Sequence, residues 1–245
     1  MKRTLITSIL VAVFVLANHV SAFETGSDET ATPINSVPYT ISVPGVYELG
    51  RNLTSASPTL ITISANDVTL DLGGHTLTSA NRSAQSVIHV KGANVTICNG
   101  SVQNLATGAT PTQNSPNGAI CIFVEGSGCT LEKLSVSSPW SSTNSAIVDF
   151  SGRGNIIRDC VIHTEHSNQP SIFLRPAEAD IITRNIIYPG FTNTAVLAER
   201  SPHAAEAIFG NTIFLVNFST PDFNPVNDDG NLIPNTLDTV FRFPG

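Results

Sequence analysis

An all-β solenoid of parallel strands is the fold class this sequence predicts, on three observations. Only 13% of the 245 residues are charged and Met occurs once, while short runs rich in Ile, Val and Thr alternate with Gly, Asn, Ser and Pro. That is strand chemistry cut by turns. Aliphatic residues also recur in two columns at a period near 26 residues. Finally, nothing long enough for an amphipathic helix lies between the strand-like runs, which excludes a sheet built from βαβ units.

The first column is anchored by Leu70, Ile97, Leu131, Ile157, Ile182 and Ile208, with separations of 27, 34, 26, 25 and 26 residues. Five positions after each anchor from Ile97 onward stand Val102, Val136, Ile162, Ile187 and Ile213, and three positions after stand Gly100, Leu134, Cys160, Asn185 and Asn211. A second column precedes the anchors: Ile61, Ile88, Ile120, Ile147, Ile172 and Val196, with Ile63, Val90, Ile122 and Leu174 two residues on. A single coil of this length cannot bury its own inner face, whereas stacked coils share one core and pair every strand with its neighbours. About seven coils, counting one from Ile41 to Leu53, would rise roughly 34 Å at the spacing of paired strands. A sandwich also uses short strands, but its strands do not recur in a common register.

The stretches PGVYELGRNLT and ITISANDVTLDLGGHTL, followed by NIIRDCVI, DIITRNII and AIFGNTIF, resemble the coils of pectin-lyase-like right-handed parallel β-helix proteins. The resemblance covers roughly Pro44 to Val216 and implies right-handed coils. It implies no single activity, because that family holds lyases, hydrolases, epimerases and members without known chemistry. Its lyases use clustered acidic calcium ligands with a nearby arginine. Its polygalacturonases use closely spaced aspartates with a G-H-G segment. Neither set maps onto this chain, whose first adjacent aspartates are Asp228 and Asp229.

Residues 1–22 read as a secretory signal: Lys2 and Arg3, an apolar run from Leu5 to Ala17, and the small-residue site Val20-Ser21-Ala22. The run is too short to span a bilayer, and no later stretch supplies ~20 apolar residues. The expected location is therefore outside the cytoplasm: periplasmic, cell-surface or extracellular. Removing the signal leaves 10 basic residues against 19 acidic ones, a formal charge of −9. Such a balance disfavours nucleic acid and anionic membranes as partners and makes a polyanionic substrate awkward without a bridging cation. Residues 23–38 read as a flexible acidic lead-in, 39–214 as the solenoid, and the proline-containing 215–245 as a cap or tail over the open end.

Several residues look chemical and read better as architecture. Asp71 and His75 flank a paired-glycine turn. Asn185 and Asn211 fall in one column, where stacked amides satisfy turn backbone groups. Glu132 should stand beside Arg158, and Asp159 between Lys133 and Arg184, as ion-pair ladders across coils. Asp149 fits two phases: it points inward with Ile122 and Leu174, or outward with Val148 and Phe150 inward. No cofactor is implied.

The turns after the plus-five column are where function is expected, because binding loops project from rigid scaffolds. Trp140, Tyr188 and Phe191 are the candidate sugar contacts, since aromatic faces pack on sugar rings. Glu165, between His163 and His166, is the candidate acid or base. His163-x-Glu165-His166 lacks the spacing and further ligands of a metal site, so none is assigned. The expected function is binding or processing of a polysaccharide, and the alternative is a non-catalytic envelope or surface scaffold. Cys98, Cys121, Cys129 and Cys160 do not align on adjacent coils, which predicts free thiols; a shifted turn would bring Cys98 near Cys121 or Cys129. Asn52, Asn81, Asn94, Asn99 and Asn217 lie in N-x-S/T sequons.

Overall fold

A computed structural model describes residues 30–80, 86–105, 120–138, 148–164, 171–174, 179–189, 196–198, 207–215, 226–227 and 239–242. Within them every element is a strand and every pairing is parallel, so the chain is an all-β solenoid. The strands form a large 14-stranded sheet and a small 8-stranded sheet. The small sheet takes one strand per coil in order, from Tyr39–Ile41 through Thr59–Ile63, Ser86–Val90, Ile120–Val124, Val148–Phe150, Ile172–Leu174 and Val196–Ala198 to Val226–Asn227. In the large sheet two strand segments of each coil follow one another across a bend. They run unbroken in Thr96–Asn104 and Thr130–Ser138, then split into Ile156–Arg158 with Val161–Thr164 and Ile181–Thr183 with Ile186–Tyr188.

The anchor column stacks in the order the periodicity predicts. Leu70 pairs with Ile97, Ile97 with Leu131, Leu131 with Ile157, Ile157 with Ile182 and Ile182 with Ile208. The plus-five column does the same from Val102 through Val136, Ile162 and Ile187 to Ile213, and extends back through Leu77 to Leu53. Both columns are buried and join the small sheet's inner residues in one continuous core. Burial of apolar area is the driving term, and no coil achieves it without its neighbours.

The small sheet corrects the second column. Ile61 and Ile88 pair, but Ile88 then pairs with Ile122 and Ile122 with Val148, leading to Ile172 and Val196. Ile120 lies two residues earlier and faces Ser86, and Ile147 falls outside the described residues. The slip is of two residues and keeps the inward phase: Ile120, Ile122 and Val124 are equally apolar inner positions, and the turn between the two columns varies in length. Asp149 stands in register with Phe123 and Phe173, and Val148, in register with Ile122 and Ile172, is buried.

Strands also occur beyond the expected ends. Thr32–Ile34, inside the segment read as a lead-in, pairs with Tyr47 to Leu49, and Ile34 is wholly buried. Thr239–Arg242, inside the segment read as a cap, pairs with Thr212 to Leu215.

Two corners of each coil repeat a left-handed backbone conformation. One stacks Asn99, Lys133, Asp159, Arg184 and Gly210, with φ of 58°, 52°, 56°, 55° and 64°. The other stacks Asp67, Asn94, Gly128, Gly154 and Ala179. The same second corner is also closed by close approach: a Cβ on Gly126 would stand 1.8 Å from the carbonyl oxygen of Gly92, and one on Gly152 would stand 1.9 Å from that of Gly126. Only glycine lets the coils stack there.

Candidate functional site

The inner columns are accounted for by packing, so chemistry has to be sought on the outer faces. Along the large sheet outward columns run parallel to the solenoid axis; besides the one that holds Glu132, Arg158, Thr183 and Phe209, three stand out. The first holds Thr69, Thr96, Thr130, Ile156 and Ile181; the second Ser101, Ser135, Val161, Ile186 and Thr212; the third Gln103, Ser137, His163, Tyr188 and Phe214. All three change character between the same two coils. Thr130 gives way to Ile156, Ser135 to Val161 and Ser137 to His163.

The C-terminal half of this face is therefore apolar and open to solvent. Val161 and Ile186, paired across coils, are 39% and 38% exposed, and Phe209, paired with Thr183, is 44% exposed. Two residues on from Val161 and Ile186, on the same strands, runs an aromatic column. The His163 ring meets Tyr188 edge-on at 5.4 Å, and Tyr188 stacks on Phe214 at 4.6 Å with planes 9° apart. Stacking along the axis covers one face of Tyr188 with Phe214, so this column turns ring edges outward. The exposed aromatic ring among the described residues is that of Phe209, across the bend, in the column of Arg158 and Thr183.

Of the residues singled out from sequence, the structure brings His163 and Tyr188 together, on the strands Val161–Thr164 and Ile186–Tyr188 rather than in the turns after them. Trp140, Glu165, His166 and Phe191 lie outside the described residues. Phe209, Phe214, Val161 and Ile186 were missed. The signal was present: each sits at an outward register position where a soluble strand normally carries a polar residue.

Asp71, Asn185, Asn211 and the Glu132–Arg158 and Asp159–Arg184 pairs have the partners expected of architecture. Asp71 accepts the Gly73 N–H at 2.7 Å and the Asn99 amide at 3.1 Å, within a turn whose Gly73 and Gly74 have positive φ. Asn185 accepts the backbone N–H of Cys160 at 2.9 Å and donates to Ile157 O at 3.1 Å; Asn211 accepts the N–H of Asn185 at 2.9 Å and donates to Ile182 O at 2.9 Å. A second ladder, not foreseen, runs along the neighbouring corner: Asn155 accepts the N–H of Cys129 at 2.8 Å, and Asp180 accepts the N–H of Asn155 at 2.7 Å. Arg158 donates to Glu132 at 2.7 Å, and Arg184 grips Asp159 through two bonds of 2.7 Å. Hydrogen bonding from Arg184 holds the Asp159 carboxyl below its ordinary value.

All four thiols are free and buried. Burial raises each of those at Cys98, Cys121, Cys129 and Cys160, that of Cys98 to about 11, with Asp71 and Glu132 adding to the effect there. A thiol held protonated is a poor nucleophile, so these cysteines pack rather than react. On the small sheet, His89 contacts Glu125 at 2.9 Å and tilts against Phe123 at 5.0 Å. This pair was missed because the sequence register set His89 beside Cys121, two residues from its partner Phe123.

Among the described residues no group of three or more His, Cys, Asp or Glu gathers to hold a metal ion, and no helix is long and apolar enough to cross a membrane. In comparisons with known proteins, no family model, curated protein or solved structure matches this chain.

Proposed function

We propose that this chain is exported by the signal at residues 1–22 and coils as a right-handed, pectin-lyase-like β-helix that holds a polysaccharide on the C-terminal half of its large sheet. One observation carries the reading: Val161 and Ile186 are exposed beside the His163–Tyr188–Phe214 column, and the ring of Phe209 is exposed across the bend of the same sheet. Sugar rings offer apolar C–H faces to such side chains, and a platform built on paired strands loses little freedom on binding. Trp140 and Phe191 follow the strands of the same column in sequence and are proposed to extend the contact. The role proposed is binding. Where turnover accompanies it, Glu165 between His163 and His166 is the proposed acid or base.

A second reading is an exported scaffold that docks a protein. It is favoured by the mutual stacking of Tyr188 and Phe214, which leaves aliphatic groups and ring edges as much of the exposed surface. A glycan array with wild type, Phe209→Ala and Trp140→Ala separates the two readings. Binding weakened about tenfold in Phe209→Ala, the scale of one lost aromatic contact, supports the first. Failure of the wild type to bind any glycan would overturn it and favour the scaffold. Glu165→Gln should abolish any turnover while leaving binding, and unchanged turnover would remove Glu165 from the chemistry.

A further inference from the structure

Resting on the polysaccharide reading, we infer that the sugar chain held on this face is uncharged. In the apolar half the columns of Ile156 and Ile181, of Val161, Ile186 and Thr212, and of His163, Tyr188 and Phe214 hold one group that takes a positive charge, His163; the column of Phe209 adds Thr183 and Arg158. The two guanidinium groups at the neighbouring corner are already neutralised: Arg158 is bonded to Glu132, and Arg184 is doubly bonded to Asp159. A uronate or sulfated chain would have to shed water from its anions against aliphatic carbon, with no described cation standing among Ile156, Ile181, Val161 and Ile186 to replace it; Lys133 stands one coil below Asp159 and acts on that carboxylate. The chain's own formal charge of −7 adds long-range repulsion.

A neutral pyranose chain meets no such cost. Its C–H faces cover Val161, Ile186 and Phe209. Its hydroxyls find partners at the polarity border, where Ser135 and Ser137 stand one coil below Val161 and His163. The border thereby orients the ligand, with apolar ring faces toward the C-terminal coils and hydroxyl edges toward the serines.

The test is a binding series with the full chain on uncharged β-glucan, xylan and mannan against polygalacturonate and alginate, at low and high salt. Neutral glycans should bind with affinity constant within about twofold across the salt range, because screening acts only on charge. Ile186→Asp and Ile186→Lys should each weaken that binding about tenfold, since either charge spoils the apolar contact. Matched thermal melting of the variants establishes that both are folded. Tighter binding of polygalacturonate or alginate than of the neutral glycans, or a tenfold fall in binding with salt, would overturn the inference while leaving the polysaccharide reading intact. Absence of binding to every glycan would overturn both.

Discussion

The two halves of the solenoid solve the same packing problem with opposite chemistry. In the N-terminal half the corner beside the large sheet is filled by Val68, Val95 and Cys129, and the outer face carries Thr69, Thr96, Thr130, Ser101 and Ser135. In the C-terminal half that corner holds Asn155 and Asp180, the next corner holds Asn185 and Asn211, and the outer face turns to Ile156, Ile181, Val161 and Ile186. Apolar corners are held by exclusion of water, which is not directional. Amide corners are held by side chains that accept the N–H of the coil below, which fixes each coil's height and register. Where the inside has become polar, the outside has become apolar. Stacking does not require that outer change, because the anchor columns continue unaltered through both halves. A feature that folding does not need is the better candidate for function.

The glycine corner is common to the coils around the border, so breaking it should disrupt both halves. Gly126→Ala places a methyl group 1.8 Å from the Gly92 carbonyl, against backbone that cannot swing aside. The expected loss is about 4 kcal/mol, the upper end of overpacking effects, read as a fall in the denaturation midpoint. Gly154→Ala is the control: its Cβ meets nothing within 4 Å, and its φ of +66° should cost only about 1 kcal/mol.

Asn185→Ala sharpens the contrast between corner types. It strips acceptors and donors from the Cys160 N–H and the Ile157 carbonyl inside the C-terminal half alone. Two buried backbone groups left unpaired should cost about 3 kcal/mol in chemical denaturation. Hydrogen exchange should quicken first at the amides of Cys160 and Ile186, while those of the strand Thr59–Ile63 keep their protection.

The smallest effect on stability is expected where the functional argument is strongest. Ile186→Thr continues the hydroxyl column of the N-terminal half into the apolar half. Because Ile186 is an exposed strand residue and Thr suits strands, stability should move by less than about 0.5 kcal/mol. Binding of an apolar dye to the folded protein should nevertheless fall. A large loss of stability instead would assign Ile186 to the packing of the fold.

The anchor and plus-five columns were legible because inward residues of stacked coils share one environment, so the same side-chain type recurs at the coil length. The asparagine and ion-pair ladders were legible for the same reason, once Asn185 and Asn211, or Glu132 and Arg158, were placed in register. The small sheet was less so: Ile120, Ile122 and Val124 are interchangeable inner residues, and a turn of variable length before the anchor column leaves the pairing two residues adrift. The ladder through Asn155 and Asp180 escaped notice because its two members differ in type and follow a cysteine. The site was least legible. His163 and Tyr188 stood out as residue types, but Val161, Ile186 and Phe209 look like core residues in a linear string.

By itself the sequence determined the solenoid, its period and the order in which its coils stack, because burial repeated at a fixed interval leaves a repeated residue type. It also determined that Asn185 and Asn211 serve the fold. Only the tertiary structure decided which aliphatic and aromatic residues face outward, how Tyr188 and Phe214 cover one another, and where the hydroxyl face ends. Those are properties of neighbours on different coils, set by the phase of each strand, and a strand's phase is fixed only when it pairs.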